Sequence, residues 1–105
     1  MLDISTRKVA QIIVMSRELN RAEGELRAFI DALNEDEQAE LVALMWIGRG
    51  SFEVDDLQEA IATAKQEATT PTADYLIGTP HLSDHLESAL EALGISASDE
   101  EDEVM

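Results

Sequence analysis

The chain has 105 residues, of which 45% are hydrophobic, and it carries a formal net charge of −16. This length is enough for one domain with its own core but not for two, and the negative charge disfavours binding to nucleic acid or to an anionic membrane surface. The sequence contains no cysteine, which excludes disulfide bonds, thiolate metal sites and a cysteine nucleophile.

The first half of the chain predicts two helices separated by a turn. The first helix spans about residues 6–20, with Ser5 as its N-cap. Residues 20–24 are predicted to form a turn, because Gly24 disfavours a helix interior. The second helix starts near Glu25 and carries its apolar residues at the spacing i, i+3, i+4, i+7 that gives one apolar face. These four residues are Leu26, Phe29, Ile30 and Leu33.

The longest unbroken apolar run, residues 41–47, belongs to a third predicted helix and contains the only tryptophan, Trp46. Asn34 and Glu37 have the spacing of a capping box at its start, and Gly48 or Gly50 is predicted to end it. The run is too short to cross a bilayer and is apolar on every side. It therefore predicts a helix at the centre of the core, or one that is partly buried against another chain.

The second half predicts three shorter helices. A fourth helix ends near Ala68, a short helix of one or two turns spans residues 73–77 and stops at Gly78, and the last helix spans residues 80–93. Thr79 is predicted as the N-cap of this last helix and Pro80 as its first residue. Residues 96–105 include five consecutive acids and predict a disordered acidic tail.

These elements predict an all-α fold, a compact orthogonal bundle of five to six short helices. Residues 1–95 form the single helical domain and residues 96–105 the tail. The N-terminal segment lacks the small-residue cleavage site of a signal peptide. A cytoplasmic protein without nucleic-acid or membrane partners is therefore expected.

A metal site is one hypothesis for function. His81 and His85 are separated by one helical turn, which is the spacing of two zinc ligands, and Asp84 or Asp74 could supply a third. Alternatively, the two histidines are partly exposed side chains beside a core face of leucines. The positive end of the helix dipole near His81 disfavours a cation. No other cofactor is predicted.

A protein interface is the second hypothesis, because the first and third helices contain more apolar residues than an isolated surface helix needs. A homodimer would bury the surplus, and the candidate interface residues are Ile12, Met15, Met45 and Trp46. A third hypothesis follows from the charge: residues 51–105 contain a single base, Lys65, among many acids. The chain could then be the acidic partner of a basic protein.

Two blocks of sequence carry a resemblance to known proteins. Residues 40–50, ELVALMWIGRG, and residues 74–94, DYLIGTPHLSDHLESALEALG, resemble a family of small acidic all-helical bacterial proteins catalogued only as a domain of unknown function. The resemblance covers residues 2–95 and implies no activity, ligand or site residue. The residues themselves favour a non-enzymatic protein-interaction module, with metal binding and an acidic partner role as the alternatives.

Overall fold

The computed structural model of the chain describes residues 4–67 and 70–94. Six α-helices and one 3-10 turn follow one another in these two ranges, which contain no strand. The helices are α1 (Thr6–Arg17), α2 (Leu19–Asp31), α3 (Glu35–Arg49), α4 (Leu57–Gln66), α5 (Thr72–Ile77) and α6 (Leu82–Ala92). The predicted all-α bundle of five to six short helices is confirmed, and the predicted tail, residues 96–105, lies outside the described residues.

Helix α1 begins at the predicted cap, where the Ser5 hydroxyl accepts a hydrogen bond from the Lys8 amide at 3.1 Å. The cap satisfies one of the free amides in the first helical turn. The core-facing side of α1 is fully covered by other parts of the chain, and its buried residues are Val9, Ala10, Ile12 and Ile13. These four residues form the core face of α1.

The predicted turn at residues 20–24 is wrong, because those residues belong to α2. The chain bends earlier, at Glu18, whose carbonyl oxygen accepts from the amides of Arg21 and Ala22 and so starts the second helix. Gly24 then lies inside the helix. Its cost there, about 1 kcal/mol relative to alanine, is offset by the complete burial of Leu26 and Ile30 on the same helix.

Helix α3 is the centre of the fold, as predicted from its apolar run. Its capping box is confirmed: the Asn34 side chain accepts from the Glu37 amide at 2.8 Å, and the Glu37 side chain accepts from the Asn34 amide at 3.1 Å. Every residue of 41–47 except Trp46 is buried. Helix α3 packs most extensively against α6 and next against α4, while α1 lies against α2 and α6.

Gly50 ends α3 in the left-handed conformation, with φ of 92°. The Gly50 amide donates to the Ile47 carbonyl and the Ser51 amide to the Trp46 carbonyl. This pair of hydrogen bonds is the Schellman motif, which glycine permits at low cost. Gly50 is therefore the stop signal, and Gly48 lies within the helix.

The second half of the chain starts with a 3-10 turn at Val54–Asp56 that leads into α4. Helix α4 buries Ala60, Ile61 and Ala64 and ends at Gln66; Ala68, its predicted end, lies outside the described residues. Helix α5 follows as predicted, and Gly78 stands at its C-terminal cap.

The predicted start of the last helix needs a correction. Helix α6 begins at Leu82, with His81 at its N-cap in the left-handed conformation (φ of 59°). Thr79 is not the cap, because its hydroxyl donates to the Tyr75 carbonyl at 2.8 Å and so closes α5. Gly94, which follows the last helix, has a positive φ of 77°. None of the helices in the described ranges has both the length and the apolar content to span a bilayer.

Candidate functional site

Three of the four aromatic residues of the chain meet at one edge of the bundle, and we call Trp46, Phe52 and Tyr75 the aromatic cluster. The rings of Trp46 and Phe52 stack with centroids 5.6 Å apart and planes inclined by 23°. The Trp46 indole Nε1 donates a hydrogen bond to the Tyr75 hydroxyl at 2.9 Å. These contacts fix the indole between the loop after α3 and helix α5.

The sequence builds this cluster through two local features. The left-handed Gly50 reverses the chain at the end of α3, which returns Phe52 onto the last turns of that helix. Helix α5 begins directly after Pro71 and brings Tyr75 to the same edge. All three rings are only partly buried, and Tyr75 is 36% exposed. Partly exposed tryptophan and tyrosine are typical of binding surfaces, since they combine a large apolar area with a polar group.

A cleft of about 220 Å³ lies beside the aromatic cluster, between α3, α4 and the start of α5. Its bottom is formed by buried apolar side chains and its edges by exposed polar ones. The buried residues are Ala39, Val42 and Ala64, and the exposed ones include Glu35, Lys65, Glu67 and Thr70. Trp46 and Tyr75 form one wall. We call this feature the Trp46 cleft.

The edge of the Trp46 cleft carries more negative than positive charge. Glu35 and Glu67 are both exposed there. Lys65, the cation among the residues that line the cleft, is ion-paired: its Nζ lies 2.7 Å from Oδ1 of Asp36. An incoming group therefore meets an apolar bottom, an aromatic wall and two exposed carboxylates.

The predicted interface residues fall into two groups. The chain itself covers Ile12 and Met45 completely, with 0% of each exposed. Met15 and Trp46 are only partly buried against the core. Only the second pair can contact a partner in this conformation. Across residues 4–67 and 70–94 the exposed large hydrophobic side chains are Val14, at 44%, and Tyr75.

The predicted metal ligands are only partly brought together. His81 Nδ1 lies 3.8 Å from Asp84 Oδ2, with both side chains about three-quarters exposed. Asp74 is instead ion-paired with Arg27. Over the part of the chain that the structure describes, no group of three or more histidine, cysteine or acidic side chains is arranged to hold a metal ion. Metal binding by His81 and His85 stays a prediction to which the structure adds no further ligand.

His85 has a structural role that its spacing from His81 did not reveal. Its backbone carbonyl faces Gly48 of α3 so closely that a β-carbon at position 48 would lie 1.6 Å from the oxygen. The side chain of His85 is partly buried on the same helix. This part of the α6 backbone is therefore fixed by helix packing.

Two buried carboxylates attach the N-terminal segment to α3. Glu40 accepts a hydrogen bond from the Ile4 amide at 2.7 Å, and Oε2 of Glu37 lies 2.7 Å from the Lys8 ammonium. The hydrogen bond from Lys8, followed by that from the Asn34 amide, lowers the pKa of Glu37 below its ordinary value. Both acids therefore bond groups of the chain itself and link its N-terminal segment to α3.

The contacts of Glu40 and of Tyr75 were not predicted from the sequence. Glu40 directly precedes the apolar run and is buried, so its carboxylate needs a hydrogen-bond partner, here the Ile4 amide. The bond between Tyr75 and Trp46 joins residues 29 positions apart. No local spacing reports such a contact.

Comparison with known families gave a match over residues 23–95 to the family described as Protein of unknown function (DUF3775). Comparison with curated proteins gave no match, and neither did comparison with solved structures. The match begins within α2, later than the residue 2 expected from the resemblance, and it includes the Trp46 cleft and both histidines, His81 and His85. Since the match covers more than half of the sequence, the chain belongs to this family of proteins of unknown function.

Proposed function

We propose that the chain is a protein-interaction module that binds a partner protein through the aromatic cluster and the Trp46 cleft. The observation that carries the proposal is the position of three of its four aromatic residues at one partly exposed edge beside a cleft. Tryptophan and tyrosine are enriched among the residues that dominate protein–protein binding energies. Their large rigid rings gain contact area at a small cost in conformational entropy.

The size of the cleft favours a protein partner over a small-molecule ligand. Pockets for drug-sized molecules measure about 300–1,000 Å³, and the Trp46 cleft, at about 220 Å³, is smaller. A volume of this size suits one side chain that projects from a partner surface. The surrounding exposed residues then supply the polar rim that protein interfaces have.

A different protein is a better supported partner than a second copy of the chain. The homodimer hypothesis rests on surplus apolar residues, but Ile12 and Met45 are covered within the monomer. A second copy also brings its own charge of −16, so the long-range force between two copies is repulsive, most strongly at low ionic strength.

Val14 and Tyr75, the exposed large hydrophobic residues in the part of the chain that the structure describes, provide a matched test. Tagged wild type, Tyr75→Ala and Val14→Ala are expressed in the native cells, and co-purifying proteins are quantified by mass spectrometry. The proposal predicts a protein that co-purifies with wild type and Val14→Ala but is lost with Tyr75→Ala. Equal recovery of every co-purifying protein by Tyr75→Ala, with an unchanged melting temperature, would contradict it.

A further inference from the structure

We propose that the Trp46 cleft receives an arginine side chain that projects from a basic segment of the partner protein. The inference rests on the proposed function and specifies the chemistry of the partner. It follows from three properties of the same site: an apolar bottom, a carboxylate edge and an aromatic wall.

The apolar bottom matches the stem of a long cationic side chain. Ala39, Val42 and Ala64 are at most 8% exposed and present only carbon atoms to the cleft with their side chains. Arginine and lysine bury their methylene groups along apolar surface while the charged end stays in contact with polar groups or water. A purely apolar side chain would fill the bottom equally well. The residues at the edge of the cleft therefore determine whether an apolar or a cationic side chain is favoured.

The edge of the cleft favours a positive charge. Glu35 and Glu67 stand exposed at it, and the ammonium of Lys65 is neutralised by Asp36. An acidic side chain would meet two like charges here and a neutral one would gain nothing from them. The net charge of −16 extends this preference over distance, because it attracts a basic segment and accelerates its encounter with the chain.

The aromatic wall favours arginine over lysine. Trp46 and Tyr75 line the cleft, and the hydrogen bond between them holds the two rings in place before a ligand arrives. A planar guanidinium stacks on such rings and can bond a carboxylate through two parallel N–H groups, whereas an ammonium is a more strongly hydrated point charge. Arginine can therefore make all three kinds of contact: its methylene groups with the apolar bottom, its charge with the carboxylates at the edge and its planar guanidinium with the aromatic wall.

Selection from phage-displayed random peptides on the purified full chain tests this preference. Trp46 is the only tryptophan, so a change in its fluorescence identifies the peptides that bind at the cleft. We expect those peptides to be enriched in arginine relative to the starting library. Replacement of that arginine by glutamine should abolish the fluorescence change, and replacement by lysine should weaken the binding.

Two double variants with the same net charge show whether peptide binding depends on the carboxylates at the cleft or only on the total charge of the chain. Glu35→Gln with Glu67→Gln removes both carboxylates at the cleft, while Glu25→Gln with Glu91→Gln removes two exposed carboxylates that do not line it. We expect the first pair to weaken peptide binding about fivefold at low salt, from about 0.5 kcal/mol for each exposed ion pair. The second pair should change the affinity less than twofold, and the melting temperature of each variant checks that it is folded.

The possible results distinguish this inference from the proposed function. Peptides that perturb Trp46 but show no excess of arginine would overturn the inference and leave the interaction surface intact. Equal weakening by both charge variants would also overturn it, since the attraction would then be non-local. If no selected peptide perturbs Trp46, the arginine inference fails, and the co-purification with Tyr75→Ala decides the proposed function separately.

Discussion

Gly48 of α3 and the backbone carbonyl of His85 of α6 are in direct contact. A β-carbon on Gly48 would lie 1.6 Å from the oxygen and 2.5 Å from the carbonyl carbon of His85. Real β-carbons do not approach other atoms to this distance. The contact is with backbone, so no side-chain rotation could relieve it. The packing of α3 against α6, the pair of helices with the most extensive contact, therefore depends on the absence of a side chain at Gly48.

Gly48→Ala is accordingly expected to lower the free energy of unfolding by about 2 kcal/mol or more, since α6 must move away from the core. Gly24→Ala is the matched control: Gly24 also lies inside a helix, but nothing lies within 4 Å of its added β-carbon. This control should stabilise the fold by about 0.5–1 kcal/mol, because alanine favours helix. Urea unfolding measures both, and a Gly48→Ala variant as stable as wild type would refute the contact.

The stability of the fold should depend on pH through Glu37. Its pKa is lowered in the folded chain, chiefly by the hydrogen bond from Lys8. A carboxyl with a lowered pKa contributes stability above its ordinary value, here 4.5, and loses it as the pH falls through the folded value. Glu37→Gln should cost about 0.5–1 kcal/mol at neutral pH, and the difference from wild type should shrink as the pH falls below about 4.5. A difference that is constant across this range would show that Glu37 is not ion-paired.

The N-terminal segment should detach when Glu40 loses its carboxylate. Glu40 is 4% exposed and accepts from the buried amide of Ile4. Glu40→Leu leaves that amide without its acceptor, which costs about 1–3 kcal/mol, whereas Glu40→Gln keeps an oxygen and should cost less. Hydrogen exchange of the Ile4 amide, followed by NMR, should be faster in the leucine variant. Unchanged exchange would mean that other contacts hold the segment.

The hydrogen bond between Trp46 and Tyr75 in the aromatic cluster can be tested in the absence of a partner protein. Tyr75→Phe keeps the ring but removes the acceptor of the Trp46 indole proton. We expect a stability loss of at most about 1 kcal/mol, because both side chains are partly exposed to water. The indole Nε1 proton signal in an NMR spectrum should shift and exchange faster with solvent. An unmoved signal would show that the two side chains are not bonded in solution.

Local sequence signals predicted the helix ends well where a single residue type determines the end, through a capping side chain or a left-handed glycine. The capping box of Asn34 and Glu37 and the hydroxyl cap of Ser5 are predicted from nearby residues, and both are present. The end of α3 was predicted at Gly48 or Gly50, and the structure places it at Gly50. At Gly24 and Thr79 the local residue type gave the wrong prediction, because contacts with other parts of the chain decide the structure there. Tertiary packing keeps Gly24 in a helix, and Thr79 bonds backward to Tyr75 instead of forward to α6.

Features that join distant segments could not be predicted from local spacing. The contact of Gly48 with His85 requires the path of α6 across α3, and the bond of Trp46 to Tyr75 requires the position of α5. The apolar run that contains Trp46 predicted the core, and the structure shows that Trp46 is the member of the run left partly uncovered. The candidate site is therefore an arrangement that only the packed bundle creates.

Photo-crosslinking in the native cells tests the central claim, that a partner protein binds at the Trp46 cleft, most directly. Benzoylphenylalanine is introduced in place of Thr70, which is exposed at the cleft, or of Glu91, which is exposed on α6 outside the lining of the cleft. The account predicts a specific protein adduct from position 70 that is absent from position 91 and is suppressed by Tyr75→Ala. No adduct at position 70, or adducts of equal strength at both positions, would contradict it.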